Sequence, residues 1–197
     1  QQVSSAASDV YKRQIKDLPE RYDLMIRSMK NDVEIFRKEN IPLSVEQTKL
    51  VTEAQTINGA MSVEYEGEEY TIPEMRVFLE SNERSVREGA WKAVADRRLQ
   101  DEGRLSEIFD QLIVIRNEIA INAGFETYTD YMFRAMERFD YTKNDCLEFH
   151  DAIEAVCVPL MREINSRRIN SLDLGSLRPW DVNCLLYTSD AADDTCC

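Results

Sequence analysis

Between Arg104 and Phe133 the chain reads RLSEIFDQLIVIRNEIAINAGFETYTDYMF, with apolar residues at Leu105, Ile108, Phe109, Leu112, Ile115, Ile119 and Ala123. Steps of three and four put these side chains on one stripe of an α-helix. Ile113, Val114 and Ile121 widen the stripe, which predicts a helix buried on more than one side. Six large side chains at roughly 2 kcal/mol apiece set an upper bound of about 12 kcal/mol on its burial. Gly124 stands where a glycine able to take positive φ ends a helix. Thr127, with Asp130 three residues on, has the spacing of a capping box that opens the next one. The expected fold class is mostly α: a helical scaffold with one small β-hairpin near residues 62–72.

The rest of the chain repeats this grammar. Leu18, Tyr22, Met25, Ile26, Met29, Val33 and Phe36 form a helical stripe, and Asn40 with Pro42 predicts its end. Ser44 and Gln47 predict a capping box for a helix that turns Leu50, Ala54 and Ile57 inward. The period then drops to two: Val63 and Tyr65, the turn pair Glu66-Gly67, then Tyr70 and Ile72. Pro73 suits the first turn of a short helix. Ser81-Asn82 predicts the cap of a helix whose inner face is Val86, Ala90, Trp91 and Val94. A tryptophan in that setting is expected to be core, given the area it buries. Gly103 predicts a helix break between Asp101 and Leu105. Thr142 and Asp145 predict a cap for a helix carrying Cys146, Phe149, Ile153, Val156, Leu160 and Ile164 inward, with a kink near 155–158 ahead of Pro159. The basic run Arg162–Arg168 suits a helix C-terminus.

Charge excludes some functions. Lys plus Arg number 24 against 37 Asp plus Glu, a net −13, which argues against nucleic-acid binding. No apolar run reaches the ~20 residues of a membrane span, and the N-terminus lacks the apolar core of a signal peptide. Of the five cysteines, Cys146 and Cys157 are three helical turns and roughly 16 Å apart, too far to bridge. They read as reduced, core-facing thiols of a cytoplasmic protein.

The run from Leu105 through Phe125 followed by Tyr131 resembles the amino-terminal helical region of the oligoendopeptidase F family, relatives of the thimet- and Pz-peptidase-like zinc metallopeptidases. So do MSVEYEGEEYTIPEMRVFLE, RSVREGAWKAV, FDYTKNDCLEFHDAIEAVCVPLMREIN and RPWD. The resemblance covers nearly all of 15–181. It implies a parent enzyme that cleaves short oligopeptides in the cytoplasm, using zinc held by a helical H-E-x-x-H motif whose Glu is the general base. The helical region would wall a channel that admits short peptides.

That chemistry has no place within this chain. H-E-x-x-H needs two histidines and the chain has one, His150. His150 and Glu154 share a helix face, with Glu148 and Asp151 nearby, but catalytic zinc takes three protein ligands and no third is evident. The expected role of His150 is a helix histidine paired with Glu154. Serine and cysteine nucleophile schemes need a base that His150 alone would have to supply. There is no G-x-S-x-G, P-loop or dinucleotide fingerprint. Glu66, Glu68 and Glu69, and Asp101 with Glu102, read as a turn and a solvated helix end. No catalytic, cofactor-binding or metal residue is expected, and the partner implied is a C-terminal catalytic half that this sequence does not carry. The rival readings are a non-enzymatic helical binding module on the same scaffold, and a small regulatory or structural helical protein. Inner faces made for a missing half are expected to expose apolar patches and drive aggregation.

Both ends read differently. Ser4–Gln14 (SSAASDVYKRQ) is the translation of one DNA string, and Cys184–Asp194 (CLLYTSDAADD) is the translation of its reverse complement read one base out of phase. A transposase-type sequencing adapter on both ends of one fragment explains the pair. The domain expectation is therefore 1–14 adapter-derived and disordered, 15–182 the helical region, and 183–197 adapter-derived and disordered. The Cys-Cys end matches no lipidation pattern. The end segments carry +1 and −3, so −11 remains and the acidity survives.

Overall fold

The structure is a computed structural model that describes residues 19–184. The predicted helix start at Leu18 and the two end segments, apart from Asn183 and Cys184, lie outside the described residues. A 3-10 turn, Glu20–Tyr22, leads into α1 (Asp23–Ile35). The next helix, α2 (Asn40–Gly59), begins where the sequence predicts a stop. The reason is positional: Pro42 falls in the first turn, where its missing N–H has no intrahelical acceptor to lose. Asn40 is buried, its amide donating to Ile119 O at 3.0 Å and accepting from Asn122 Nδ2 at 2.9 Å. Ser44 is thus inside the helix, its carbonyl accepting from Thr48 Oγ1.

The hairpin forms as expected. In β1 (Ser62–Tyr65) and β2 (Glu68–Thr71), Val63 faces Tyr70 and Glu64 faces Glu69, antiparallel. Glu66 at φ 52° and Gly67 at φ 87° give the turn two consecutive positive φ angles, the pattern that matches strand twist. Pro73 precedes the short helix α3 (Arg76–Leu79), its carbonyl accepting from Arg76 N. The following α4 (Arg84–Leu99) has Glu83 at its N-cap with no side-chain cap. Ser81 Oγ instead accepts from the Glu83 N–H at 3.2 Å.

The break before α5 (Glu102–Asn122) falls at Gln100 and Asp101, so Gly103 lies in the first turn of α5. The other end of α5 is as read: Gly124 takes φ 88°, and Phe125 N donates to Ala120 O at 2.9 Å. Thr127 caps α6 (Tyr128–Ala135), accepting from Asp130 N at 3.2 Å. The long α7 (Lys143–Ser171) continues through Pro159. A 3-10 turn, Pro179–Asp181, follows.

The described residues fall into two compact units, one up to Thr48 plus Leu112–Thr142, the other Lys49–Gln111 plus the part from Lys143 onward. The first buries Ile26, Leu112, Ile119, Ala120 and Ala123. The second centres on Val63, Met75 and Ala90, ringed by Tyr65, Tyr70, Ile72, Phe78, Leu79 and Val94. Phe78 meets Tyr65 and Tyr70 edge-on, at 4.9 and 5.1 Å between ring centroids.

Burial departs from expectation on two helices. On α5, Ile108, Leu112 and Ile119 are buried while Phe109, Ile113, Val114 and Ile121 are exposed. Cover comes from one side only, and the large side chains fully buried bring about 6 kcal/mol instead of 12. On α7 no residue is buried. Cys157 is exposed and Cys146 half-buried, so neither is a core thiol, whereas Cys184 is buried. Apolar periodicity marks the face that needs cover without providing the cover.

Candidate functional site

The most constrained polar cluster is one that the sequence reading did not anticipate. Arg87 of α4 is 1% exposed and Asp181 is fully buried. A buried charge is tolerated only when paired and hydrogen-bonded. Asp181 Oδ1 accepts from Arg84 Nε and Arg87 Nη2, both at 3.0 Å. Its Oδ2 accepts from Arg84 Nη2 and from the Arg178 N–H, both at 2.9 Å. Arg87 also reaches three carbonyls: Nε donates to Trp180 O at 3.0 Å, and Nη1 to Ser81 O at 2.9 Å and Asn82 O at 3.0 Å. The Ser81-Asn82 segment is thus held to α4 through its carbonyls, which accept from Arg87. Arg168 of α7 donates to Cys184 O at 2.8 Å and to Asp181 O at 3.3 Å.

Aromatic rings close the cluster. Trp91 of α4 lies 5.6 Å from Trp180, and the Lys92 ammonium sits 5.7 Å over the Trp180 ring. Burial opposes ionisation of Asp181, but the hydrogen bonds from Arg84, the Arg178 N–H and Arg87 outweigh it and hold the carboxyl below its usual range. Four donors occupy the two oxygens, so the carboxylate has no lone pair to spare for a substrate or metal. The cluster positions residues 176–184 on α4 and does no bond chemistry.

Elsewhere the carboxylates make surface contacts. Glu53 takes both Arg104 Nε, at 2.7 Å, and Arg104 Nη2, at 2.8 Å, and this hydrogen bonding lowers its pKa. Glu69 accepts from Ser62 Oγ, and Asp101 from Arg97, as the solvated reading of these acidic groups expects. Among the described residues, open clefts line each of the two units. One of about 660 Å³ between α4 and α5 has Trp91, Leu99, Leu105 and Phe109 on its walls. Another, of about 670 Å³, lies between the hairpin and α4 and carries Glu64, Glu68, Asp96 and Arg97. The third, of about 360 Å³, is lined by Arg27, Lys30, Asn31, Glu34 and Arg134. His150 lines none of these three. It is exposed on α7 beside exposed Glu148, Asp151 and Glu154. Among the described residues no group of three or more His, Cys, Asp or Glu side chains is arranged to hold a metal ion.

A sequence model of peptidase family M3 matches residues 77–191. That span is more than half of the chain and takes in the whole junction, from Arg84 and Arg87 to Trp180 and Asp181. The chain belongs to peptidase family M3. Members of family M3 are in general zinc metallopeptidases. Solved structures agree on the fold. A protein assigned as oligoendopeptidase F from Bacillus anthracis str. Ames superposes with TM-score 0.79 at 21% identity, over 92% of this chain and 35% of that one. A second oligoendopeptidase F structure gives 0.81 at 19% identity, over 98% and 37%. Pz peptidase A, solved with an inhibitor, gives 0.82 at 20% identity, over 93% and 34%. The chain thus spans about a third of the length of each. No curated protein matches. Among the described residues, no helix of this M3 chain is long and apolar enough to cross a membrane.

Proposed function

We propose that this chain is the amino-terminal, non-catalytic scaffold of an M3 zinc endopeptidase that cleaves short oligopeptides in the cytoplasm. The observation that carries the reading is the family match over 77–191 in a chain that spans about a third of the structures it superposes on. In this reading the zinc, the H-E-x-x-H helix and the general base belong to a catalytic half encoded beyond Asp181, which is also the scaffold's main partner. The helical units form wall, and the chain alone is inactive. Membranes and nucleic acids have no part in it.

The test is enzymatic. A longer product, expressed from the same DNA beyond the Asp181 codon, should cleave internally quenched oligopeptides and lose that activity to a zinc chelator. The 197-residue chain should not cleave them. A longer product that is inert with zinc present would overturn the proposal, as would cleavage by the short chain.

A further inference from the structure

The chain carries a net −13, yet four of its cations converge on one cleft of the first unit. Arg27, Lys30 and Glu34 of α1 line it, with Arg134 of α6 and with Arg138 and Phe139 of the turn that follows. The other carboxylates nearest in sequence, Glu20, Asp23, Asp32, Glu137 and Asp140, are not on its walls. Two of the guanidinium groups are held in place before any ligand arrives. Asn31, 2% exposed, accepts from Arg134 Nε at 2.6 Å and donates to Arg134 O at 2.8 Å. Glu34 takes Arg134 Nη2 at 2.6 Å, which leaves Nη1 without an acceptor among the described residues. Arg27 Nη2 donates to Phe139 O at 3.2 Å, and the guanidinium sits 4.2 Å over the Phe139 ring. Its carboxylate neighbour, Asp140, is 3.6 Å away and almost wholly exposed. The turn is fixed to α1 by the Ser28 hydroxyl, which donates to Glu137, a non-glycine residue at φ 54°. Arg138 rests against the Phe133 and Tyr141 rings, at 5.2 and 6.0 Å. Neither Arg138 nor Lys30 pairs with a carboxylate among the described residues.

We propose that this cleft binds a phosphate dianion, free or carried on a small molecule. Glu34 offsets Arg134 and Asp140 offsets Arg27, so the charge left over is that of Lys30 and Arg138. That is about the two units a phosphate carries near neutral pH. A carboxylate would balance only one of them, and guanidinium forks match phosphate oxygens in pairs. Side chains already held by Asn31 and Phe139 lose little freedom when the anion arrives. The cleft, of about 360 Å³, is at the small end of the roughly 300–1,000 Å³ of ligand sites. The proposal rests on the first unit alone and stands whether or not the peptidase reading holds.

Calorimetric titration of the 197-residue chain with inorganic phosphate, at fixed ionic strength set by chloride, should show one saturable site per chain. Lys30→Gln and Arg138→Gln should each weaken it roughly tenfold or more, with unchanged helicity by circular dichroism. Arg162→Gln, at an exposed position of the other unit, should leave it as it was. Glycerol phosphate titrated alongside separates the two sources: tighter binding assigns the site to a small phosphate ester, weaker binding to inorganic phosphate. Absence of saturation, equal weakening by Arg162→Gln, or a site indifferent to both cleft substitutions would overturn the proposal. So would a longer product, extended past Asp181, that no longer takes up phosphate, because the rest of the chain would then be the group that covers these cations.

Discussion

Replacing Asp181 with Ala would leave Arg87 buried without a counter-charge, and loss of one partner of a buried pair costs about 3–5 kcal/mol. The chain has two tryptophans, and both belong to this cluster, so emission excited selectively from tryptophan reports on it alone. Asp181→Ala should move the emission to the red and lower the urea midpoint. Unchanged emission and midpoint would show that the ion pair holds nothing. The pH dependence has a definite sign. The folded-state pKa of Asp181 lies below its unfolded value of about 3.9. Its contribution is therefore complete above that value and is lost as pH falls through the lower folded one. Melts followed by tryptophan fluorescence should weaken below about pH 4, and Asp181→Asn should flatten this part of the profile. Arg87 was not legible as a buried residue because arginine in a helical sequence is ordinarily solvated. Its partner lies 94 positions away. The available signal was that RSVREGAWKAV and RPWD both resembled one family, without any indication that they touch.

Elements whose cause is local were readable. The hairpin follows from a two-residue period with Glu-Gly between the strands, and the end of α5 from a glycine placed to take positive φ. Gly124→Ala should cost about 1–2 kcal/mol, because an L residue is strained there. Gly59→Ala, where an added methyl meets nothing within 4 Å, should stay within about 0.5 kcal/mol. Equal losses in chemical denaturation would contradict the assignment of strain to Gly124. The start of α2 departs from the sequence expectation because Asn40 with Pro42 suits either a stop or a first turn, and contacts with Ile119 and Asn122 decide between them. Asn40→Ala should cost about 1–3 kcal/mol by removing two hydrogen bonds, the one to the Ile119 carbonyl, which keeps only the Ala123 N–H, and the one from the Asn122 amide. The stripes on α5 and α7 were read correctly as apolar faces and wrongly as covered ones. Cover depends on a second surface, and one helix's sequence does not contain it.

At the scale of the molecule, the fold is that of the structures it superposes on, and family M3 membership rests on residues 77–191. The sequence resemblance reached that family because its words are spread along the whole scaffold. It offered no catalytic residue, and the described residues bring no metal-binding group together. The 197-residue chain should take up no zinc stoichiometrically; equilibrium dialysis showing one tightly held ion per chain would contradict the scaffold reading. The most direct measurement is to read the source DNA past the codon for Asp181. The expected result is an open frame that reaches H-E-x-x-H. If residues 183–197 prove to be encoded there and are followed by a stop codon, the peptidase reading is contradicted, and the scaffold has to be explained as a binding protein.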